Sequence, residues 1–150
     1  MEATRKSKIS FLAALAAVLT VCIGFPTMSA ATTTMTLTGT LVPPRNEVGL
    51  NDYVLELRNH KRVVLQVTDA YVLTRTGTTG NSSAWSILNR MGSQKITVLG
   101  GDQELIRTLT DPGVLCKGVR IQGTLYPSSG SFLISSLEQA PREDKPESCP

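Results

Sequence analysis

Six short segments of this 150-residue chain are candidate strands, and in four of them, residues 35–42, 53–58, 63–68 and 119–126, side-chain character alternates with a period of two. Successive side chains of a β-strand point to opposite faces, so this alternation predicts strands with one face toward a core and the other toward solvent. Pro, Gly, Asn and Ser separate the segments and favour turns. The predicted strands are residues 35–42, 53–58, 63–68, 96–99, 119–126 and 132–138. The chain is therefore predicted to be mainly β.

Residues 102–110 have the pattern of a short helix. Asp102 suits the N-cap, because its carboxylate can accept from a free N–H of the first turn. The apolar positions of this helix are Leu105, Ile106 and Leu109. The segment 69–95 fits neither pattern as a whole. We expect it to be an insertion, either an extended hairpin or a mobile loop, with a possible helical turn at 85–91.

Residues 1–30 have the three parts of a secretory signal peptide: a positive start, an apolar run over 9–25 and small residues before the cleavage point. We expect cleavage after Ala30 or Ala31, so that the mature protein is secreted or periplasmic and has no membrane segment. An uncleaved anchor is the first alternative, because the apolar run approaches a spanning length. Lipidation of Cys22 is the second, although Val21 stands where a small residue is expected.

The basic character of the chain comes mostly from this N-terminal segment. The full sequence has 15 Lys plus Arg against 12 Asp plus Glu, whereas residues 31–150 have 12 against 11. A net charge of +1 is not the strong excess of positive charge that is typical of nucleic-acid-binding domains. Nucleic acid is therefore an unlikely partner.

Three cysteines are present, and Cys22 leaves with the signal peptide. Cys116 and Cys149 then form an even pair in an oxidising compartment, which favours one disulfide bond. The bond would fix the Pro- and charge-rich tail, residues 139–150, to the domain. A redox pair is the alternative function, but the two cysteines lack CxxC spacing.

The order of strands, one helix and a closing hairpin resembles the oligonucleotide/oligosaccharide-binding (OB) fold. The resemblance rests on three segments: residues 37–41 in the first strand, the helix after Asp102, and residues 118–125 leading to 132–138. It implies a five-stranded Greek-key barrel over residues 31–138, with one short helix between the third and fourth strands. Glycines within such strands permit the bulges of a small barrel. The resemblance is to small secreted bacterial proteins of this fold. Six candidate strands for five places leave either 96–99 or part of the first hairpin as extra.

If the alternating leucines and valines fill the barrel, a polar face of neighbouring strands points to solvent. The predicted outward residues include Glu56, Val64, Thr68 and Thr124, and the inward counterparts of this face are Leu55, Leu57, Val63, Leu65, Ile121 and Leu125. The candidate contacts for a ligand or partner are Arg58, Arg62, Gln66, Arg120, Gln122 and Tyr126. Trp85 is a further candidate, as part of a ligand cleft or as a buried anchor. The basic turn 58–62 could meet a phosphate or an acidic partner, or be a solvated turn.

Catalysis is not expected, because the chain has one His and no carboxylate that is paired with a base, nucleophile or metal ligand. No metal site or cofactor is predicted. The polar face lacks the row of aromatic residues on which single-stranded nucleic acid stacks. We therefore predict a non-catalytic extracytoplasmic module that recognises an envelope glycan or peptide. The alternative is a protein-interaction or assembly subunit of an envelope complex.

Overall fold

The structure is a computed structural model that describes residues 31–79, 81–100, 102–141 and 149. The predicted signal peptide, residues 1–30, lies outside the described residues. Of the predicted tail, residues 142–148 and 150 also lie outside them. The predictions about export therefore stay predictions.

Seven strands form one mixed sheet within the described residues, with both antiparallel and parallel pairings. They are β1 (Thr33–Val42), β2 (Asp52–Glu56), β3 (Arg62–Thr74), β4 (Gly77–Thr79), β5 (Lys95–Leu99), β6 (Gly118–Tyr126) and β7 (Ser131–Gln139). The order across the sheet is β1-β6-β7-β5-β2-β3-β4, and β1 also pairs with β3. This last pairing closes six strands into a barrel. The short strand β4 extends β3 outside that ring.

The closed barrel confirms the mainly β prediction and is compatible with an OB-like fold, but it has six strands and not five. Neither the first hairpin nor 96–99 is extra. β5 lies between β2 and β7 and pairs in parallel with both, so the ring would be open without it. Alternation along single strands does not reveal such parallel pairings, because they join segments that are distant in sequence.

Two helices lie in the described part of the chain, where one was predicted. The predicted one is α2 (Gln103–Leu109), and Asp102 is its N-cap, with Oδ1 accepting from the Leu105 N–H at 2.8 Å. The other, α1 (Asn81–Arg90), occupies the 69–95 segment together with the end of β3 and β4. Its Ala84 and Leu88, four residues apart, are buried in the core. Since β5 runs from α1 to α2, the helices lie at opposite ends of the barrel.

The inward face is predicted correctly. All six predicted inward residues, Leu55, Leu57, Val63, Leu65, Ile121 and Leu125, are at most 4% exposed. They join one core cluster with Met35, Leu37 and Phe132. The barrel interior is therefore filled by side chains that pack into one core.

Gly39 and Gly123 occupy equivalent places in two strand pairs. The register shifts beside Gly39 in the pairing of β1 with β3, and beside Gly123 in the pairing of β6 with β7. A Cβ at Gly39 would lie 2.0 Å from the Gln66 carbonyl oxygen, and one at Gly123 would lie 2.2 Å from that of Leu133. The predicted use of glycine at barrel bulges is thus confirmed at both positions.

Candidate functional site

The outer surface of β1 and β3 changes character halfway along the strands. At one end, Val42, Val64 and Val54 face outward in one row across β1, β3 and β2. Val64 was predicted to be solvent-facing, but it is 1% exposed. The reason is the Cys116–Cys149 disulfide, which packs on the valines and forms a second apolar cluster with them. We call this region the covered half.

The disulfide is as predicted, and it holds Cys149 against the barrel wall. The Cα atoms of Cys116 and Cys149 are 5.7 Å apart, and Cys149 is 5% exposed. The Cys116 N–H donates to the Leu41 carbonyl at 2.6 Å, which fixes this end of the bond to β1. The predicted polar outer face is therefore interrupted where the disulfide packs on Val42 and Val64.

Beyond the covered half lies an open polar depression of about 410 Å³ on β3, β1 and β6. We call it the threonine groove. It is lined by Thr36, Thr38, Thr68, Asp69, Tyr71, Thr78, Arg120, Ala140 and Pro141. Its floor is β1, which is paired on both sides, with eight register partners on β3 and eight on β6. The groove therefore has a rigid base.

Strand register brings the polar side chains of the groove together in two rows. Thr38 pairs with Asp69 on one side and with Arg120 on the other. Thr36 likewise lies between Tyr71 and Gln122. Residues that are directly opposite in antiparallel strands share a face of the sheet, so each row crosses three strands on the outer wall.

A bulge in β3 supplies one more hydroxyl. The register shift between Thr38 and Gly39 leaves Thr68 as the additional residue of β3. Its Oγ1 donates to the Thr38 carbonyl at 3.3 Å, and this contact holds the bulged residue on the groove side. Ser135, the additional residue at the bulge of β7, makes the same kind of contact: its Oγ donates to the Gln122 carbonyl at 3.0 Å.

The groove combines a held carboxylate with a free cation. Asp69 Oδ1 accepts from Asn81 Nδ2 at 2.8 Å and from the Ala70 N–H at 3.0 Å. A hydrogen bond from Tyr71 to Asp69, together with the negative charge of that carboxylate, raises the pKa of the Tyr71 phenol. Tyr71 therefore remains protonated at neutral pH. Arg120 is exposed, and within the described residues it forms no ion pair.

Arg58 and Arg62 lie in a different region, around Glu56 on β2. The Glu56 carboxylate contacts Lys95 Nζ at 2.7 Å and Arg62 Nε at 3.4 Å. The hydrogen bond from Lys95 lowers the pKa of Glu56, and the charges of Lys95, Arg62 and His60 add to the effect. Arg58 is exposed in the β2–β3 turn. The structure thus separates these two arginines from Arg120 and Gln122.

The remaining candidates are partly enclosed. Trp85 lies on α1, is half-buried and packs against the main core, as the anchor interpretation requires. Tyr126 is half-buried at the end of β6, opposite Ser131. Gln66 is half-buried between Thr40 and Asp52. None of the three lines the threonine groove.

The sequence interpretation missed Thr36, Thr38, Asp69 and Tyr71 as site residues. Inward residues of β3 are Val63, Leu65 and Val67 before the bulge, but Ala70 and Val72 after it. The extra residue changes the phase of the alternation, so the second half of β3 did not look like a continuation of the first. A period-two search that allowed one inserted residue at 68 would have found it.

Comparison of the chain with models of protein families, with curated protein sequences and with solved structures finds no match. Within the described residues, no three His, Cys, Asp or Glu side chains are grouped so that they could hold a metal ion. No helix in the same residues is long and apolar enough to cross a membrane. The functional argument therefore rests on the geometry of the groove.

Proposed function

We propose that the protein is a non-catalytic, extracytoplasmic binding module that recognises a cell-envelope glycan in the threonine groove. One observation carries the proposal: a rigid barrel wall presents threonine hydroxyls, a held carboxylate, an arginine and a tyrosine ring in one depression. The proposal includes a secreted or periplasmic location. It also includes a bacterial host and membership of the chain in an OB-like subfamily of small barrels.

A sugar matches the hydrogen-bonding chemistry of this groove. Its hydroxyls both donate and accept, as do those of Thr36, Thr38 and Thr68, while Asp69 accepts and Arg120 donates. The ring of Tyr71 offers an apolar face against which the C–H side of a sugar can pack. These groups need little rearrangement, because paired strands already hold their backbones.

Nucleic acid matches the groove less well. Single-stranded binding sites usually stack successive bases on several aromatic rings. Among the described lining residues, Tyr71 is the one aromatic side chain, and Arg120 is accompanied by the acidic Asp69. A carboxylate in the groove also opposes a phosphate backbone. We therefore propose binding, and not catalysis, as the activity of this groove.

The test is binding of soluble peptidoglycan fragments and envelope polysaccharides to the exported protein, measured by calorimetry. We expect Tyr71→Ala and Arg120→Ala each to weaken binding at least about tenfold. Arg120 is exposed, so its substitution should change the thermal midpoint little, and a melt of the Tyr71→Ala variant checks that this half-buried position has not unfolded the protein. Arg75→Ala, in the turn after β3, is the matched surface control and should bind like the parent. Tyr71→Phe retains the ring and should lose less than Tyr71→Ala.

Two results would contradict the proposal. The first is no binding of these carbohydrates by the correctly folded, disulfide-bonded parent. The second is binding that Tyr71→Ala and Arg120→Ala leave unchanged, since the sugar would then occupy another surface.

A further inference from the structure

A second depression lies on the other side of the barrel, where β5 passes between β2 and β7. We call it the leucine groove. It has a volume of about 500 Å³ and is lined by Glu56, Leu57, Arg58, His60, Thr97, Val98, Leu99 and Gly100. Leu99 is 40% exposed and pairs in register with Leu133 of β7, which is 39% exposed. The two side chains form an apolar strip on an outer wall.

Glycine at position 100 keeps this strip recessed. Gly100 has φ +63°, and a Cβ there would lie 2.5 Å from Leu133 Cδ1. The Leu133 side chain therefore lies directly against the backbone at the end of β5. Leu99 lines the depression and Leu133 lies beside it on β7, and each side chain is more than half covered.

The rim of the leucine groove is basic. Arg58 and His60 line it directly, and Arg62 and Lys95 reach its edge through their contacts with Glu56. The side chains of Arg62 and Lys95 are 60% and 52% exposed, so both can meet a further anion. Glu56 is the one acidic residue among the described lining residues. Three permanent cations around a single carboxylate leave this rim positively charged.

We infer that the leucine groove is an interaction surface for an extended acidic segment of a partner protein, with one large apolar side chain packed on Leu99 and the adjacent Leu133. The partner's carboxylates would pair with the Arg58 guanidinium and its basic neighbours. Charge complementarity selects an acidic partner, and the recessed leucines select a protruding apolar side chain. This surface is separate from the threonine groove.

The geometry favours a peptide over an anionic membrane. A residue that enters a lipid surface must project, and Leu99 and Leu133, at 40% and 39% exposure, are more than half covered. Leu50 does project, at 94% exposure, but it precedes β2. Because β2 and β5 are parallel, Leu50 lies at the opposite end of the barrel from Leu99. It provides the matched control for the apolar contact.

The experiment measures binding of three fluorescent seven-residue peptides to the disulfide-bonded protein by anisotropy. The first has one leucine flanked by Asp and Glu, the second has lysine in place of the acids, and the third has serine in place of the leucine. We expect only the first to bind, and more weakly at 1 M salt, where the Debye length falls to about 3 Å. Vesicles of phosphatidylglycerol are the competing surface.

Variants locate the contact. Arg58→Glu should weaken binding of the first peptide at least about tenfold, because the new carboxylate repels it at the rim. Leu99→Ser should weaken binding of the same peptide about fivefold, because the apolar contact is lost. Arg75→Glu and Leu50→Ser match these changes in chemistry and should bind like the parent. Absence of peptide binding, equal binding by all variants, or binding to the vesicles in place of the peptide would overturn the inference. Arg120→Ala should leave peptide binding unchanged, which separates this result from that of the threonine groove.

Discussion

The covered half and the threonine groove occupy the same two strands, yet one is apolar and enclosed while the other is polar and open. Val42 and Val64 point outward just as Thr36 and Thr38 do. The difference lies in what packs on them: the disulfide-bonded Cys149 covers the valines, whereas Ala140 and Pro141 only border the groove. Period-two alternation identifies which face a residue occupies. Its exposure also depends on segments that are distant in sequence.

The largest effect is expected from removing the cover. Cys116→Ser with Cys149→Ser should lower the free energy of unfolding by about 2–4 kcal/mol, because the unfolded chain regains freedom in the loop that the bond closes. Denaturant melts of the double variant and the parent measure the change. The barrel should still fold, since the main core does not include the cysteines.

Reduction of the parent is the control for this double variant and should give a similar loss of stability. Two titratable thiols in the native, exported protein would contradict the bond itself. An unchanged denaturation midpoint would show that the tail contributes no stability to the wall.

The boundary between the two regions is the bulge beside Gly39. Gly39→Ala should cost about 1–3 kcal/mol, because the new Cβ would meet the Gln66 carbonyl and force the backbone to shift. Gly123→Ala, at the equivalent bulge of β6 and β7, should behave similarly. Chemical denaturation measures both. If Gly39→Ala leaves the free energy of unfolding unchanged, the bulge beside Gln66 does not require glycine at this position.

The covered valines provide a subtler test of the same comparison. Val64→Thr retains the shape but places a hydroxyl at a position that is 1% exposed, so we expect a loss of about 1–2 kcal/mol. The same change in the cysteine-free background should cost less, because the released tail lets water reach the hydroxyl. A double-mutant cycle measures this coupling. Equal costs in both backgrounds would show that the disulfide does not cover Val64.

Much of the barrel could be predicted because its strands are locally patterned. Leu55, Leu65 and Ile121 lie at every second position of their strands, and each fills the interior as expected. Asp102 capped its helix as predicted, because capping depends only on the next three residues. The Cys116–Cys149 bond was predicted correctly, because these are the two cysteines that follow the predicted signal peptide. These features need no knowledge of distant contacts.

The missed features depend on pairings between distant strands. The closure of the ring by β5 requires parallel partners on both sides, with three register pairs on each. The threonine groove needs Asp69 and Arg120 at one level on either side of Thr38, and a single bulge decides that level. Of the predicted contact residues, Arg120 alone lines this groove. Sequence alternation identified its face but not its neighbours.

The smallest expected effect is electrostatic and lies beyond the covered half, at Glu56. The pKa of this carboxyl is lowered in the folded protein, chiefly by the hydrogen bond from Lys95. A lowered folded-state pKa adds stability that is present above the unfolded value of about 4.3 and is lost as pH falls through the folded one. Glu56→Gln should therefore be slightly less stable than the parent at pH 7, and the difference should shrink as pH falls from about 5 to 3.

Thermal melts across this pH range measure the difference, and Glu47→Gln, an exposed position in the β1–β2 loop, is the control. High salt should reduce the effect at pH 7, because the side chains of Arg62 and Lys95 are more than half exposed to screening ions. A Glu56→Gln variant whose stability relative to the parent stays constant with pH would show that the Lys95 and Arg62 contacts do not favour the ionised carboxyl. Those two cations would then already be available to the acidic partner of the leucine groove, and Glu56→Gln should strengthen peptide binding only by removing the negative charge of Glu56 from the lining. If the contacts do hold them, the same variant frees both cations and should strengthen that binding.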